Sequence, residues 1–153
     1  MFAPRINAPV LSADMEAILT FLPELERLLP GHFWKEEADS SVEGNEVANQ
    51  CREYNSVVLS FEESLYQHGF IRNFDWMKWT PDAQRIFDNP ALLQRARMTT
   101  CVRLLTLHVR TERMCDGHLG AMLEAGHITA ILRRMGVLAS QRPNQQGVSS
   151  VGG

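Results

Sequence analysis

No stretch of the 153-residue sequence approaches the roughly 18 consecutive apolar residues that a helix needs to cross a bilayer. The N-terminus also lacks a basic start followed by an apolar core and a small-residue cleavage site. Together these absences lead to the expectation of a soluble, cytoplasmic chain, in the host cytoplasm if a phage encodes it. Cysteine is scarce: Cys51, Cys101 and Cys115 form an odd, widely spaced set, whereas a secreted disulfide scaffold of this length would use an even and denser one. Three reduced thiols are expected. Internal repeats, heptads, glycine-rich phosphate loops and zinc-finger spacings are missing as well, which removes solenoids, coiled coils, nucleotide-binding loops and zinc fingers from consideration.

What the chain does have is 44% hydrophobic residues, about what one compact domain of this length needs for a core. The apolar positions repeat at helical spacing. Met15, Ile18, Leu19, Leu22, Leu25, Leu28 and Leu29 form one stripe, with Ser12 as its cap, Pro23 as a kink or split and Pro30-Gly31 as its stop. Asn55 or Ser56 caps a second helix that carries Val57, Val58, Phe61, Leu65 and Tyr66 inward and ends at Gly69. Residues 70–79 hold four aromatics without a steady period and read as an irregular segment. Thr80-Pro81 and Asn89-Pro90 each read as a cap followed by a helical first turn, since proline at that position needs no donor.

Thr99 or Thr100 begins a helix to about Met114, with Cys101, Val102, Leu105, His108 and Val109 on one stripe. Asp116 is placed to cap a helix through Glu124, closed by Gly126, and a last helix runs from His127 to Met135 before Gly136. The expectation is therefore an all-α, single-domain bundle of about seven short helices without a significant sheet. Residues 1–11 would form an N-terminal arm, residues 12–138 the domain, and residues 139–153 a flexible, Gln/Gly/Ser-rich tail.

Charge is unevenly distributed. Residues 1–79 hold 13 acids and 6 bases, a net of −7, and residues 80–153 hold 5 acids and 9 arginines, a net of +4. The halves would attract each other within the domain or across a homodimer. The acids Glu36, Glu37, Asp39, Glu43 and Glu46 form the densest run and are the candidate partner-binding surface, suited to a basic, nucleic-acid-handling protein. Aromatics beside arginines in residues 70–85 suggest base stacking, but a net-negative chain is a poor phosphate binder, so direct, specific nucleic-acid binding is not expected.

The run from His108 to Met135 concentrates three of the five histidines and one cysteine. A transition-metal site would need three or four of His108, Cys115, His118 and His127 to converge, and their separations of seven, three and nine residues match no known spacing. A thiol enzyme would use Cys115 as nucleophile with His118 or His127 as base. The bland reading gives the same residues to helix ends: Asp116-Gly117 as turn and cap, Cys115 as a small hydrophobe, His127 at a helix restart, and Arg110 and Arg113 paired with Glu112, Asp116 or Glu124.

Tyr54-Asn55, Phe74-Asp75-Trp76, the Arg-x-Cys-Asp-Gly-His-Leu turn from Arg113 to Leu119, and Gly126 to Arg134 resemble the motifs of an uncharacterised bacterial domain family. That resemblance covers a little over half the chain and implies an all-helical fold. It singles out Trp76, Arg113, Cys115, Asp116, His118 and His127 as a motif cluster, structural or functional. In size and in its acidic first half the chain is also similar in type to anti-CRISPR proteins of phages and mobile elements. The function expected is thus a non-enzymatic protein-binding module that inhibits a bacterial defence complex, for example a CRISPR effector, through its acidic surface. No catalytic residue, metal, cofactor or membrane partner is assigned; the alternative is a metal-dependent or thiol enzyme built on the histidines and Cys115.

Overall fold

The computed structural model describes residues 12–28, 31–34 and 53–141, and it is all-helical. The helices are α1 (Ser12–Leu19), α2 (Phe21–Arg27), α3 (Ser56–Gln67), α4 (Trp76–Asp88), the single turn α5 (Pro90–Leu93), α6 (Met98–Met114), α7 (His118–Glu124) and α8 (His127–Ser140). Among the described residues the one β pairing is an isolated antiparallel bridge between Trp34 and Tyr54. No described helix is long and apolar enough to cross a membrane.

Helix α6 organises the domain. From Cys101 to Val109 every side chain except Arg103 is buried, so this helix is enclosed rather than amphipathic. Helices α4, α7 and α8 pack directly against it, and α8 in turn carries α1, α2, α5 and α7. The polar groups caught inside are bonded. Thr106 Oγ1 donates to the Phe70 carbonyl and accepts from the Arg72 amide, each at 2.9 Å, which ties the stretch before α4 to α6. Buried Asp14 on α1 meets His68 Nδ1 at 2.9 Å.

The first stripe does split, with the break at Thr20. Pro23 has no N–H to offer the Leu19 carbonyl, and α2 restarts with that proline in its first turn. Asn55 caps α3 by accepting from the Val57 amide at 2.8 Å. The same helix closes with left-handed Gly69 (φ 78°), and the Phe70 amide reaches back to the Leu65 carbonyl at 2.9 Å. Asn89-Pro90 opens α5 as expected.

Two boundaries differ from the sequence expectation. Helix α4 begins at Trp76, capped by Asp75, whose carboxylate accepts from the Lys78 amide at 3.4 Å; Thr80-Pro81 lies inside it and is not a second start. Pro81 is the sixth residue of α4, so its missing donor withdraws one bond near the N-terminal end. Helix α8 also passes Gly136 and continues to Ser140, because a glycine whose φ is not left-handed weakens a helix without ending it. The acidic run Glu36, Glu37, Asp39, Glu43 and Glu46, Cys51, the N-terminal residues 1–11 and the tail from 142 onward lie outside the described residues.

Two glycines mark opposite constraints. A Cβ on Gly120 of α7 would come within 2.6 Å of the Trp34 ring and 2.9 Å of the Tyr54 ring, whereas one on Gly136 meets only Leu19, at 4.0 Å. Gly120→Ala is therefore expected to destabilise the domain by about 1–3 kcal/mol through overpacking. Gly136→Ala should stabilise it by about 0.5–1 kcal/mol through helix propensity. Urea denaturation of the two variants beside wild type checks both signs.

Candidate functional site

The chain turns sharply between α6 and α7. Cys115 ends α6, with its amide on the Thr111 carbonyl at 2.8 Å, and its carbonyl accepts from the His118 amide at 3.1 Å. Gly117 fills the third position of this turn at φ 95° and ψ −5°, a left-handed conformation that favours glycine. Asp116 is exposed in the turn and is not the cap of α7; the residue before α7 is Gly117, which makes no side-chain cap bond. The cap comes from α6 instead. The Glu112 carboxylate accepts from the amides of Leu119 at 2.7 Å and Gly117 at 3.2 Å, and from the Tyr54 hydroxyl at 2.8 Å. Tyr54 Oη then accepts from the Gly120 amide at 2.8 Å. Thus the three leading amides of α7 are all satisfied, two of them by side chains from elsewhere in the chain.

Glu112 is accordingly not an ion-pair partner for Arg110 or Arg113, and Glu124 likewise accepts from the Gly31 amide, at 2.7 Å. Burial, reinforced by Glu112, raises the Tyr54 phenol above its ordinary range despite the bond from Gly120. Half-buried Glu62 is also raised, first by burial and then by Glu112. Trp34 stacks on Tyr54 with ring centroids 4.6 Å apart and closes the outer side of this network.

Behind the network three imidazoles meet. His108 from α6, His118 at the first position of α7 and His127 at the first position of α8 converge, with His108 Nδ1 and His118 Nε2 3.0 Å apart. One ring's N–H donates to the other's lone pair. The His108 and His118 rings stack at 5.1 Å, and His127 meets His108 edge-on at 5.0 Å. Phe87 of α4 packs edge-on against His127, also at 5.0 Å. His108 is 4% exposed and His127 7%, and among the described residues Nε2 of each has no hydrogen-bond partner. Burial and the neighbouring rings lower the His108 pKa to about 3 and the His127 pKa to about 4. His118 is lowered by burial, with Glu112 pulling the other way. All three rings are therefore neutral at pH 7.

The structure brings His118 and His127 of the motif cluster together with His108 and leaves the rest of that cluster outside. Cys115 is exposed, and among the described residues its thiol bonds to no imidazole, so no thiol–base pair is assembled. Cys101 is buried and pushed up to about 11. Among the described residues no three His, Cys, Asp or Glu side chains are arranged to hold a metal ion. Arg113 is exposed at the end of α6, and Trp76 packs half-buried at the start of α4.

Sequence reasoning missed the role of Glu112, which bonds to Tyr54 58 residues away, and the contributions of Trp34 and Phe87. No local pattern carries such contacts. The nearest signal was the repetition of Gly-His, at Gly117-His118 and Gly126-His127, where left-handed glycines (φ 95° and 79°) turn the chain back toward α6 at both ends of α7.

The profile of a family of unknown function, DUF6508, matches residues 10–141. The chain belongs to this family. Among curated proteins and among solved structures nothing matches it.

Glu112→Ala would leave two amides and a phenol without their acceptor. The expected cost is about 2–4 kcal/mol, while Glu112→Gln, which keeps one carbonyl oxygen in place, should cost about half as much. Equal losses in denaturant unfolding would mean that the carboxylate is not acting as the cap.

Proposed function

We propose that this member of the family works by binding another protein through the face that α4 shares with α6, and not by catalysis. One observation carries the reading. Phe74, Trp76, Met77 and Trp79 fall within six residues, Met77 is 55% exposed, and Arg103 of α6 lies with its guanidinium 5.0 Å from the Phe74 ring centroid and 6.0 Å from that of Trp79. Phe74 and Trp79 fix this geometry by packing edge-to-face at 5.9 Å. Tryptophan and arginine are among the side chains that dominate protein–protein binding energy, and methionine is enriched at such interfaces.

The charge on this face indicates the chemistry of the partner. Arg103 has no carboxylate partner among the described residues, while Lys78 and Arg85 are answered by Asp75 and Asp82 on their own helix. A complementary surface offers an apolar pocket for Met77 with a carboxylate beside it for Arg103. In a narrower form the partner is a bacterial defence complex, for example a CRISPR effector. Glu36, Glu37, Asp39, Glu43 and Glu46 would then meet the Lys/Arg surface that such a complex uses for phosphates, and would mainly set encounter rate. Support for this narrower form is the acidity of that run and the size of the chain.

The test is capture on immobilised full-length chain from bacterial lysate at low salt, with the retained protein then purified and its affinity measured. Arg103→Glu and Met77→Asp should each weaken binding by roughly 30-fold, the worth of a 2 kcal/mol anchor, with Tm unchanged. Cys115→Ser should bind as wild type. No retained protein, or one held equally by both surface variants, would sink the proposal; a retained protein unrelated to nucleic-acid defence would sink only its narrower form.

A further inference from the structure

The imidazole cluster pins both ends of one short helix to the same point. His118 precedes the rest of α7 and His127 follows it by three residues, and both rings lie against His108 of α6. Between them α7 has only seven residues, too few to persist without its packing, and it is flanked by Gly117 and Gly126 in left-handed conformations. Its holds on the rest of the domain are Leu119 and Leu123 in the core, the bonds to Glu112 and Tyr54, and these rings.

We propose that His108, His118 and His127 form an acid-sensitive latch: when the cluster takes up protons, α7 separates from α6 and α8 while the α6–α8 core stays folded. This inference is independent of the binding face on α4.

The geometry has no place for an imidazolium. Among the described residues the charges acting on the cluster are its own rings and Glu112 of α6, and α4 contributes the Phe87 ring. Glu112 acts on His118 alone and already holds three donors, so among the described residues His108 and His127 have no carboxylate to stabilise a positive charge. Two protons on His108 and His118 would also abolish their mutual bond and oppose two donors at 3.0 Å.

Linkage fixes the direction. In the latched state His108 and His127 titrate well below 6.5 and His118 is lowered as well, whereas with α7 released the rings return toward 6.5, so the released state binds more protons between these limits. Release is therefore independent of pH above about 7.5 and grows as pH falls below about 6.5, by up to about tenfold per pH unit for each freed ring. It levels off once the latched rings also protonate. The stability that neutral rings confer is complete above about pH 7.5 and is lost as pH falls toward about 4 for His127 and about 3 for His108.

Amide hydrogen exchange on the full chain tests this, with rates corrected for the intrinsic pH effect. From pH 7.5 to pH 5, protection of residues 119–125 should fall by at least roughly 30-fold, one ring's worth, while residues 104–109 of α6 change by much less. Equal loss in both segments would mean ordinary global acid unfolding and overturn the latch, as would unchanged protection of α7. His108→Gln, neutral at every pH, should flatten the pH dependence of α7 exchange. If that variant does not fold, imidazole titration by NMR on wild type decides: rings that protonate near pH 6.5 with α7 amides still protected would overturn the proposal.

Discussion

A helix buried along most of its length must find a partner for every polar atom it carries inward, and the second half of α6 turns buried Thr106 and His108 and half-buried Glu112 toward its neighbours. Thr106 solves the problem completely by donating to one backbone group and accepting from another, and in doing so it positions the chain entering α4. Glu112 solves it by serving as the cap of the next helix. His108 solves it halfway, with Nδ1 on His118 and Nε2 without a partner among the described residues. The placement of α4 and α7 around the core follows from these three residues as much as from apolar contact, since a buried polar group left unpaired costs more than most single hydrophobic contacts supply.

The part of the fold that depends on short-range rules could be read directly. Asn55 caps α3, Gly69 ends it and Asn89-Pro90 starts α5, because each is a bond or a dihedral settled within a few residues. At α4 the local signal at Thr80-Pro81 misleads. Thr80-Pro81 looks like a start, yet Asp75 lies five residues earlier and a carboxylate caps as well as a hydroxyl does. Gly136 misled for a related reason: glycine ends a helix when its φ is left-handed, as at Gly69, and the residue type alone does not reveal φ.

The candidate site was harder to read for a different reason. Separations of seven, three and nine residues match no metal motif, and yet His108, His118 and His127 meet. The route is two glycine turns that reverse the chain, so sequence spacing does not measure distance here. Cys115 shows the converse. It lies three residues from His118, close enough to suggest a nucleophile and its base, but it stands exposed at the end of α6 on the outer side of the turn. Asp116 was assigned a capping role that Glu112 performs, and only a contact reaching across the turn and out to Tyr54 distinguishes them.

Convergence of three imidazoles would ordinarily favour chemistry, and here the electrostatics argue the other way. A histidine acting as a general base needs a pKa near the working pH and reach to a substrate proton. His108 and His127 are held near 3 and 4, well below that range, and are almost fully enclosed, so they are poor proton acceptors that meet no solute. Those same properties make a buried cluster sensitive to acid, because charge that cannot be solvated in place must be relieved by movement. The enclosed rings therefore bear on the coupling of α7 with the core, and the binding face proposed on α4 is a separate surface. The division follows from solvation: a Trp-Met-Arg face gains by being covered, and a neutral imidazole cluster keeps its geometry only while water and protons stay out.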